Sequence, residues 1–137
     1  MTYKPVRYRL YPNDAQRDML MRHFGSTRWV YNRYISQADR LYFELGQYIK
    51  RDEFIVDLAR LKKTEFPWLS EVNSQSLQIA ARNAATAYER FFKGLAKHPR
   101  FKSKHSKQSF QCPQHVKVLF NESSSKYGRI VLPKIGS

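Results

Sequence analysis

Cysteine is almost absent from this 137-residue sequence, and long apolar runs are missing. The single Cys112 excludes an intrachain disulfide and a zinc site built from cysteines. No stretch approaches the roughly 18 apolar residues that a membrane-spanning helix needs, and the N-terminus has no apolar segment of the secretory kind. Five glycines and six prolines are too few for a linker or a disordered polymer. These absences predict one compact unit in a reducing cytoplasm.

Acidic residues are scarce in the last 41 residues, where nine lysines and arginines accompany the single Glu122. This segment, 97–137, therefore carries +8 of a net charge of +14. Cations at this density, interleaved with aromatic side chains, are typical of a surface that binds a polyanion. The alternative is a solvated basic surface that only keeps the protein in solution. We favour nucleic-acid binding because the excess is concentrated at one end of the chain.

The sequence contains no pattern typical of a catalytic or metal site. A two-metal nuclease needs two or three convergent carboxylates, whereas candidates such as Asp52, Glu53 and Asp57 are spaced like a solvated helix surface. The four histidines form no His-x-His pair and no other ligand spacing. We therefore expect no catalytic residue, no metal and no cofactor in this chain.

Periodicity predicts the order strand, four helices, strands. Residues 3–11 alternate in polarity like a half-buried strand, which Pro12 ends. Asn13 and Gln16 form a capping-box pattern, and Gly25 and Gly46 are stop signals. The helices are expected over about 14–24, 26–45, 52–63 and from 73 or 74 to Pro99. Short β-rich runs follow at 109–112, 116–120 and 129–132.

This order predicts an α+β fold in which four helices interrupt an antiparallel sheet or partial barrel. Residues 1–12 supply the first strand, 13–98 the helical insertion, and 99–137 the basic segment with the remaining strands. The expected core includes four large aromatic residues, Trp29, Trp68, Phe91 and Phe92. A sheet with an open edge would also allow dimerisation through that edge.

Three groups of residues are candidates for contacts with nucleic acid. The helices joined at Gly25 have the proportions of a helix-turn-helix, although a plain packed pair is the alternative. The N-terminal turn of the longest amphipathic helix has a polar face that suits phosphate or base edges, although capping and solvation explain it equally well. Segment 100–104 places three cations around Phe101, which suits phosphate contacts with stacking. The second helix of the first group would present Arg28, Asn32, Arg33, Gln37 and Arg40.

Short motifs in order along the chain resemble the opening of the TnpB (OrfB) proteins of bacterial insertion sequences. The matching stretches are Tyr8-Arg-Leu-Tyr-Pro12 with Gln16, Gly25, Arg28-Trp-Val-Tyr-Asn32, Trp68-Leu69, Ser74-Gln75, Leu77-Gln78, Ala87 with Phe91-Phe92, Pro99-Arg-Phe-Lys-Ser-Lys104, Ser109-Phe110 and Leu132-Pro-Lys-Ile-Gly136. Each is modest alone, and together they span nearly the whole chain.

The resemblance implies the N-terminal half of an RNA-guided DNA endonuclease related to type V CRISPR effectors. In that family a split β-barrel, the wedge, is interrupted by a helical recognition insertion. This half is implied to bind guide RNA and the guide–target hybrid, and to recognise a short motif beside the target in duplex DNA. A bacterial, cytoplasmic and nucleoid-associated location follows.

The departure from the family is large, because its Mg-dependent RuvC-type nuclease domain and zinc-finger insertion would follow the Pro-Lys-Ile-Gly stretch. The sequence ends there, at Ser137. We therefore expect no nuclease activity from this chain. A stand-alone helix-turn-helix regulator of DNA is the alternative function.

The predicted nucleic-acid-binding residues form three sets, one for each kind of contact. For phosphates of RNA or hybrid they are Arg100, Lys102, Lys104, Lys107 and Lys134, with Phe101 for stacking. For target-flanking duplex they are Ser74, Gln75, Gln78 and Arg82. Weaker candidates are Arg28, Asn32 and Arg33.

Overall fold

The computed structural model describes residues 5–105, 107–120 and 128–136. Three α-helices and a two-stranded antiparallel sheet give a mixed α/β fold. The elements are α1 (Asp14–Asp39), α2 (Arg51–Lys63), α3 (Ser74–Phe92), β1 (Lys117–Phe120) and β2 (Gly128–Val131). A π-helical turn over Arg40–Glu44 continues α1, and a 3-10 turn over Pro67–Glu71 precedes α3. Within the described ranges, no helix has the length and apolarity needed to cross a bilayer.

The predicted helix stop at Gly25 is wrong, because α1 passes through this residue as one helix of 26 residues. The predicted helices 14–24 and 26–45 are therefore one, and the described chain has three α-helices instead of four. Glycine inside a helix costs only about 1 kcal/mol relative to alanine. Burial of a continuous face, from His23 through Val30 to Ala38, outweighs that cost. The stop at Gly46 is confirmed, since its φ is +64°.

The starts and ends of the three helices can be compared with the predicted ones. Asn13 and Gln16 form the predicted capping box at the start of α1. The predicted start of α3 at 73 or 74 is confirmed: Asn73 is the cap residue, and its side chain accepts from the backbone N–H of Gln75. The helix predicted over about 52–63 is confirmed as α2, which begins one residue earlier at Arg51 and has Asp52 in its first turn. The expected end of α3 at Pro99 is wrong: the helix ends at Phe92.

The sheet is smaller than predicted. β1 and β2 pair antiparallel, with Val118 opposite Ile130, and confirm the last two predicted runs. Residues 109–112 are not a strand, and neither are 5–11. The first two predicted strand residues, 3 and 4, lie outside the described residues. Along 5–11 the apolar side chains of Val6 and Tyr8 are 65% and 77% exposed, so this segment has no sheet partner among the described residues.

The core lies between α1 and α3, with α2 and the 3-10 turn closing one side. Its buried members are Val30, Tyr34, Ile35, Ala38, Phe54, Leu58, Leu61, Leu69, Val72, Leu77, Ala80, Ala81, Ala84 and Tyr88. The three alanines on α3 let the helices approach closely. Trp29 and Phe91 pack against this core as expected. Trp68 and Phe92 lie at its margin instead, 39% and 37% exposed.

Candidate nucleic-acid interface

A basic strap, defined here as the described residues 97–105 and 107–111, runs antiparallel along α1. His98 lies beside Asp39, Lys102 beside Asn32, and Phe110 beside Phe24. These contacts cover about 22 Å of the helix at 1.5 Å per residue. The described strap has no regular secondary structure, so its position depends on side-chain contacts with the helices.

The middle of the strap is fixed by a two-bond clamp. The Asn32 amide Nδ2 donates to the carbonyl oxygen of Lys102 at 2.8 Å, and Asn32 Oδ1 accepts from the Lys102 backbone N–H at 2.7 Å. The Lys102 ammonium lies 4.4 Å from the centroid of the Tyr31 ring, a cation–π geometry. Asn32 therefore positions the strap, and its amide is committed to backbone groups.

The first end of the strap is anchored in an aromatic cluster. Nε2 of His98 lies 2.6 Å from Oδ1 of Asp39, and the Tyr88 hydroxyl donates to the same oxygen at 2.5 Å. The rings of Tyr88 and Phe91 meet His98 edge-on at 5.5 and 5.2 Å. Burial, and then the hydrogen bond to Asp39, raise the pKa of Tyr88. Tyr88 is therefore held as a neutral hydrogen-bond donor. Pro99, the residue after His98, is buried.

The far end of the strap is anchored at the start of α3. Ser76 donates to the carbonyl oxygen of Gln111 at 2.6 Å. The Phe110 ring lies 4.9 Å from that of His23, which is fully buried. His23 Nδ1 donates to the Met19 carbonyl, and Nε2 accepts from the backbone N–H of Asn73. Burial lowers the pKa of His23, so a neutral imidazole joins α1, α3 and the strap.

The strap separates two depressions in the surface. On one side lies a small cleft of about 50 Å³ between α1, α3 and the strap, bordered by Arg28, Asn83, Lys102 and Lys107. On the other side lies an open groove of about 390 Å³ along α1. Lys102 borders the cleft and the preceding Phe101 borders the groove. The groove is lined by Trp29, Asn32, Arg33, Ser36, Gln37, Arg40 and Phe101.

The lysines and arginines of the strap have no carboxylate partner among the described residues, whereas several cations on the helices do. Elsewhere Arg22 pairs with Asp18 and Glu71, and Lys93 pairs with Glu89. Among the described residues, no carboxylate forms an ion pair with the strap's Arg100, Lys104 or Lys107, all of which are exposed. The ion pairs found are Arg22–Asp18, Arg22–Glu71, Arg40–Glu44, Lys50–Glu53, Arg51–Asp52, Arg60–Asp57, Lys93–Glu89 and His98–Asp39.

Some predicted residues meet at the strap and others lie apart. Arg28 reaches Gln108 at 3.4 Å, and Arg33 stacks over Trp29 and Phe66 at 5.1 and 5.3 Å. Lys134 lies in the turn after β2 with a φ of +68°. Burial, and then the charge of Lys134, lower the pKa of Lys62 on α2, which places Lys134 near that helix.

The predicted residues at the start of α3 are only partly accessible. Ser74 and Arg82 are exposed, and Gln78 is half-buried. The Gln75 side chain donates to Gln114 at 2.9 Å, and its buried Oε1 has no hydrogen-bond partner in the described part of the chain. The anchoring roles of Ser76 and His23 were not predictable from the sequence, because no local pattern identifies a partner dozens of residues away.

Comparison with known proteins gives consistent matches. The helix-turn-helix domain family of OrfB/IS605 proteins matches residues 1–47. A Streptomyces pristinaespiralis protein provisionally named an RNA-guided DNA endonuclease is 36% identical over 132 residues, 96% of this chain. InsQ of Escherichia coli K12, with the same provisional name, is 34% identical over 131 residues, 95% of the chain. The chain spans about a third of each relative, 32% and 31% of their lengths, and corresponds to their N-terminal part.

Proposed function

We propose that this chain is the nucleic-acid-binding, N-terminal module of an RNA-guided DNA endonuclease of the OrfB (TnpB) family, whose N-terminal part it matches. The strap binds guide RNA or the guide–target hybrid through phosphates. The start of α3, with Ser74, Gln78 and Arg82, contacts duplex DNA beside the target.

The observation that carries this proposal is the fixed strap with unpaired cations. Asn32 and Ser76 bond its backbone, and Asp39 bonds the His98 side chain, so that the strap is held against the helices. Arg100, Lys104 and Lys107 therefore stay exposed without a competing carboxylate among the described residues. A phosphate backbone gains affinity from such cations because each contact releases condensed counterions.

The finer parts of the predicted fold and role belong to the same proposal. The apolar side chains of Val6, Tyr8 and Leu10 alternate along an exposed segment, which supports a wedge strand that pairs within a larger barrel. Dimerisation through a sheet edge and a nucleoid-associated location remain predictions. We also propose that the chain does not cleave DNA alone, since most of its described carboxylates form ion pairs with neighbouring cations.

Two double variants of equal charge test the role of the strap. Lys104→Gln/Lys107→Gln removes two unpaired strap cations, and Lys50→Gln/Lys93→Gln removes two cations that are paired with Glu53 and Glu89. Affinity for a structured RNA is measured by fluorescence anisotropy over a salt series. The slope of log K against log salt should fall by roughly 0.7–0.9 per lost phosphate contact in the strap variant. The control variant should keep most of the parent's slope.

Equal changes in the two variants would show that net charge, and not the strap, causes the binding. A duplex DNA of matched length serves as the second ligand. Preference for structured RNA at about 0.2 M salt, where charge attraction alone is weak, supports guide binding. Preference for duplex DNA without RNA selectivity would instead support a DNA-binding regulator. Mg²⁺-dependent cleavage by this chain alone would contradict a purely binding role.

A further inference from the structure

The groove beside the strap has a chemistry different from that of the strap itself. Its floor is the α1 face that carries Arg33, Gln37 and Arg40, and its wall is the ring of Phe101. These residues recur at three- and four-residue steps, so they form one row along the helix. None of the described residues that line the groove is a carboxylate. The volume of about 390 Å³ is at the small end of ligand-binding clefts.

Phe101 is 59% exposed although the residues on both sides of it in the chain are held in place. The preceding Pro99 is buried and the following Lys102 is clamped by Asn32. The ring is therefore presented to the groove by a fixed backbone, without being covered by the core. Exposure of a large ring normally costs hydrophobic free energy, and a stacking partner would recover it.

The cations beside Phe101 are suited to an anion. The Arg33 side chain stacks on Trp29, and its buried Nε has no hydrogen-bond partner among the described residues. Arg40 is largely exposed and is held only loosely by Glu44, at 3.7 Å. Ser36 and Gln37 add hydroxyl and amide groups that donate and accept. An aromatic face, two guanidinium groups and neutral polar groups together match an unpaired base with its phosphate.

We propose that this groove binds one unpaired nucleotide of a single-stranded nucleic acid, with the base stacked on Phe101 and its phosphate near Arg40. A duplex does not satisfy this groove, because its bases are already stacked within the helix. The inference deepens the proposed function and rests on it: the strap binds phosphates, and the groove adds selectivity for a strand whose bases are free.

The test compares a single strand that carries bases with a strand of the same length built from abasic sites, in RNA and in DNA form. Phe101→Leu removes the ring but keeps an apolar side chain. Tyr48→Leu, at a residue 67% exposed and outside the groove, is the matched control. Circular dichroism checks that both variants are folded.

The parent chain and Tyr48→Leu should bind the base-bearing strand about tenfold more tightly than the abasic strand, since stacking on an aromatic ring has that effect. Phe101→Leu should bind the two strands alike, with its affinity for duplex unchanged. A preference for bases that persists in Phe101→Leu overturns the inference while leaving the proposed function intact. Failure of the parent to bind any nucleic acid overturns both. Comparing RNA with DNA identifies which single strand occupies the groove.

Discussion

Replacing Gly25 with alanine tests whether α1 is one helix or two. In a continuous helix, alanine at this position should raise the free energy of unfolding by about 0.5–1 kcal/mol, because glycine loses more backbone entropy on folding. The added Cβ would meet only Arg28 Nη2, at an ordinary contact distance of 3.7 Å. In a helix-turn-helix with a left-handed glycine at the turn, the same substitution would cost about 1–2 kcal/mol.

Gly46→Ala is the control with the opposite expected sign. Gly46 has a φ of +64°, and a Cβ there would meet nothing within 4 Å. Any loss therefore reports backbone strain, at about 1–2 kcal/mol. Urea unfolding followed by circular dichroism measures both variants, and for a chain of this length 1 kcal/mol shifts the Tm by about 3–5 °C. A Gly25→Ala variant destabilised as much as Gly46→Ala would refute the continuous helix.

Two further predictions concern the anchors of the strap. Asn32→Ala removes two hydrogen bonds worth about 0.5–1 kcal/mol each at an accessible site, so trypsin should cut the strap roughly 5- to 30-fold faster. Asn83→Ala is the control. Equal cleavage rates in the two variants would contradict the clamp. Burial lowers the pKa of His23 in the folded chain below its ordinary value of 6.5. As the pH falls, His23 is therefore protonated in the unfolded chain before it is protonated in the folded chain. The free energy of unfolding should therefore fall by up to about 1.4 kcal/mol per pH unit below pH 6.5. Urea unfolding at pH 7.5 and 5.5 should show this loss of stability in the parent and not in His23→Gln. An equal loss in the two proteins would exclude His23 as its source.

The sequence predicted features that depend on neighbouring residues. The capping box of Asn13 and Gln16 and the start of α3 at 73 or 74 were confirmed, because the hydrogen bonds of a helix cap close within a few residues. The stop at Gly25 was wrong because a glycine penalty of about 1 kcal/mol is a weak signal. Packing of the α1 face against α3 decides the outcome there, and this contact joins residues about 50 positions apart.

The role of Asn32 shows why the candidate interface was only partly predictable. A side-chain amide has the same donors and acceptors whether it contacts a base edge or a peptide group. The spacing on α1 predicted a polar face, and the groove confirms that Arg33, Gln37 and Arg40 share it. The sequence contained no sign that Asn32 forms hydrogen bonds with the backbone of Lys102, because the two residues are 70 positions apart.

Stability and binding are separable in this arrangement, because two of the anchors hold the strap by its backbone and none uses the charge of Arg100, Lys104 or Lys107. Asn32 bonds both peptide groups of Lys102, and Ser76 bonds the Gln111 carbonyl. The cationic side chains of Arg100, Lys104 and Lys107 make no such contribution, so their substitution removes charge without releasing the strap. Substitution of Asn32 or Ser76 weakens one anchor of the strap without removing charge. If the strap binds phosphates as a fixed surface, both kinds of change must weaken RNA binding, and only the first kind must lower the salt dependence.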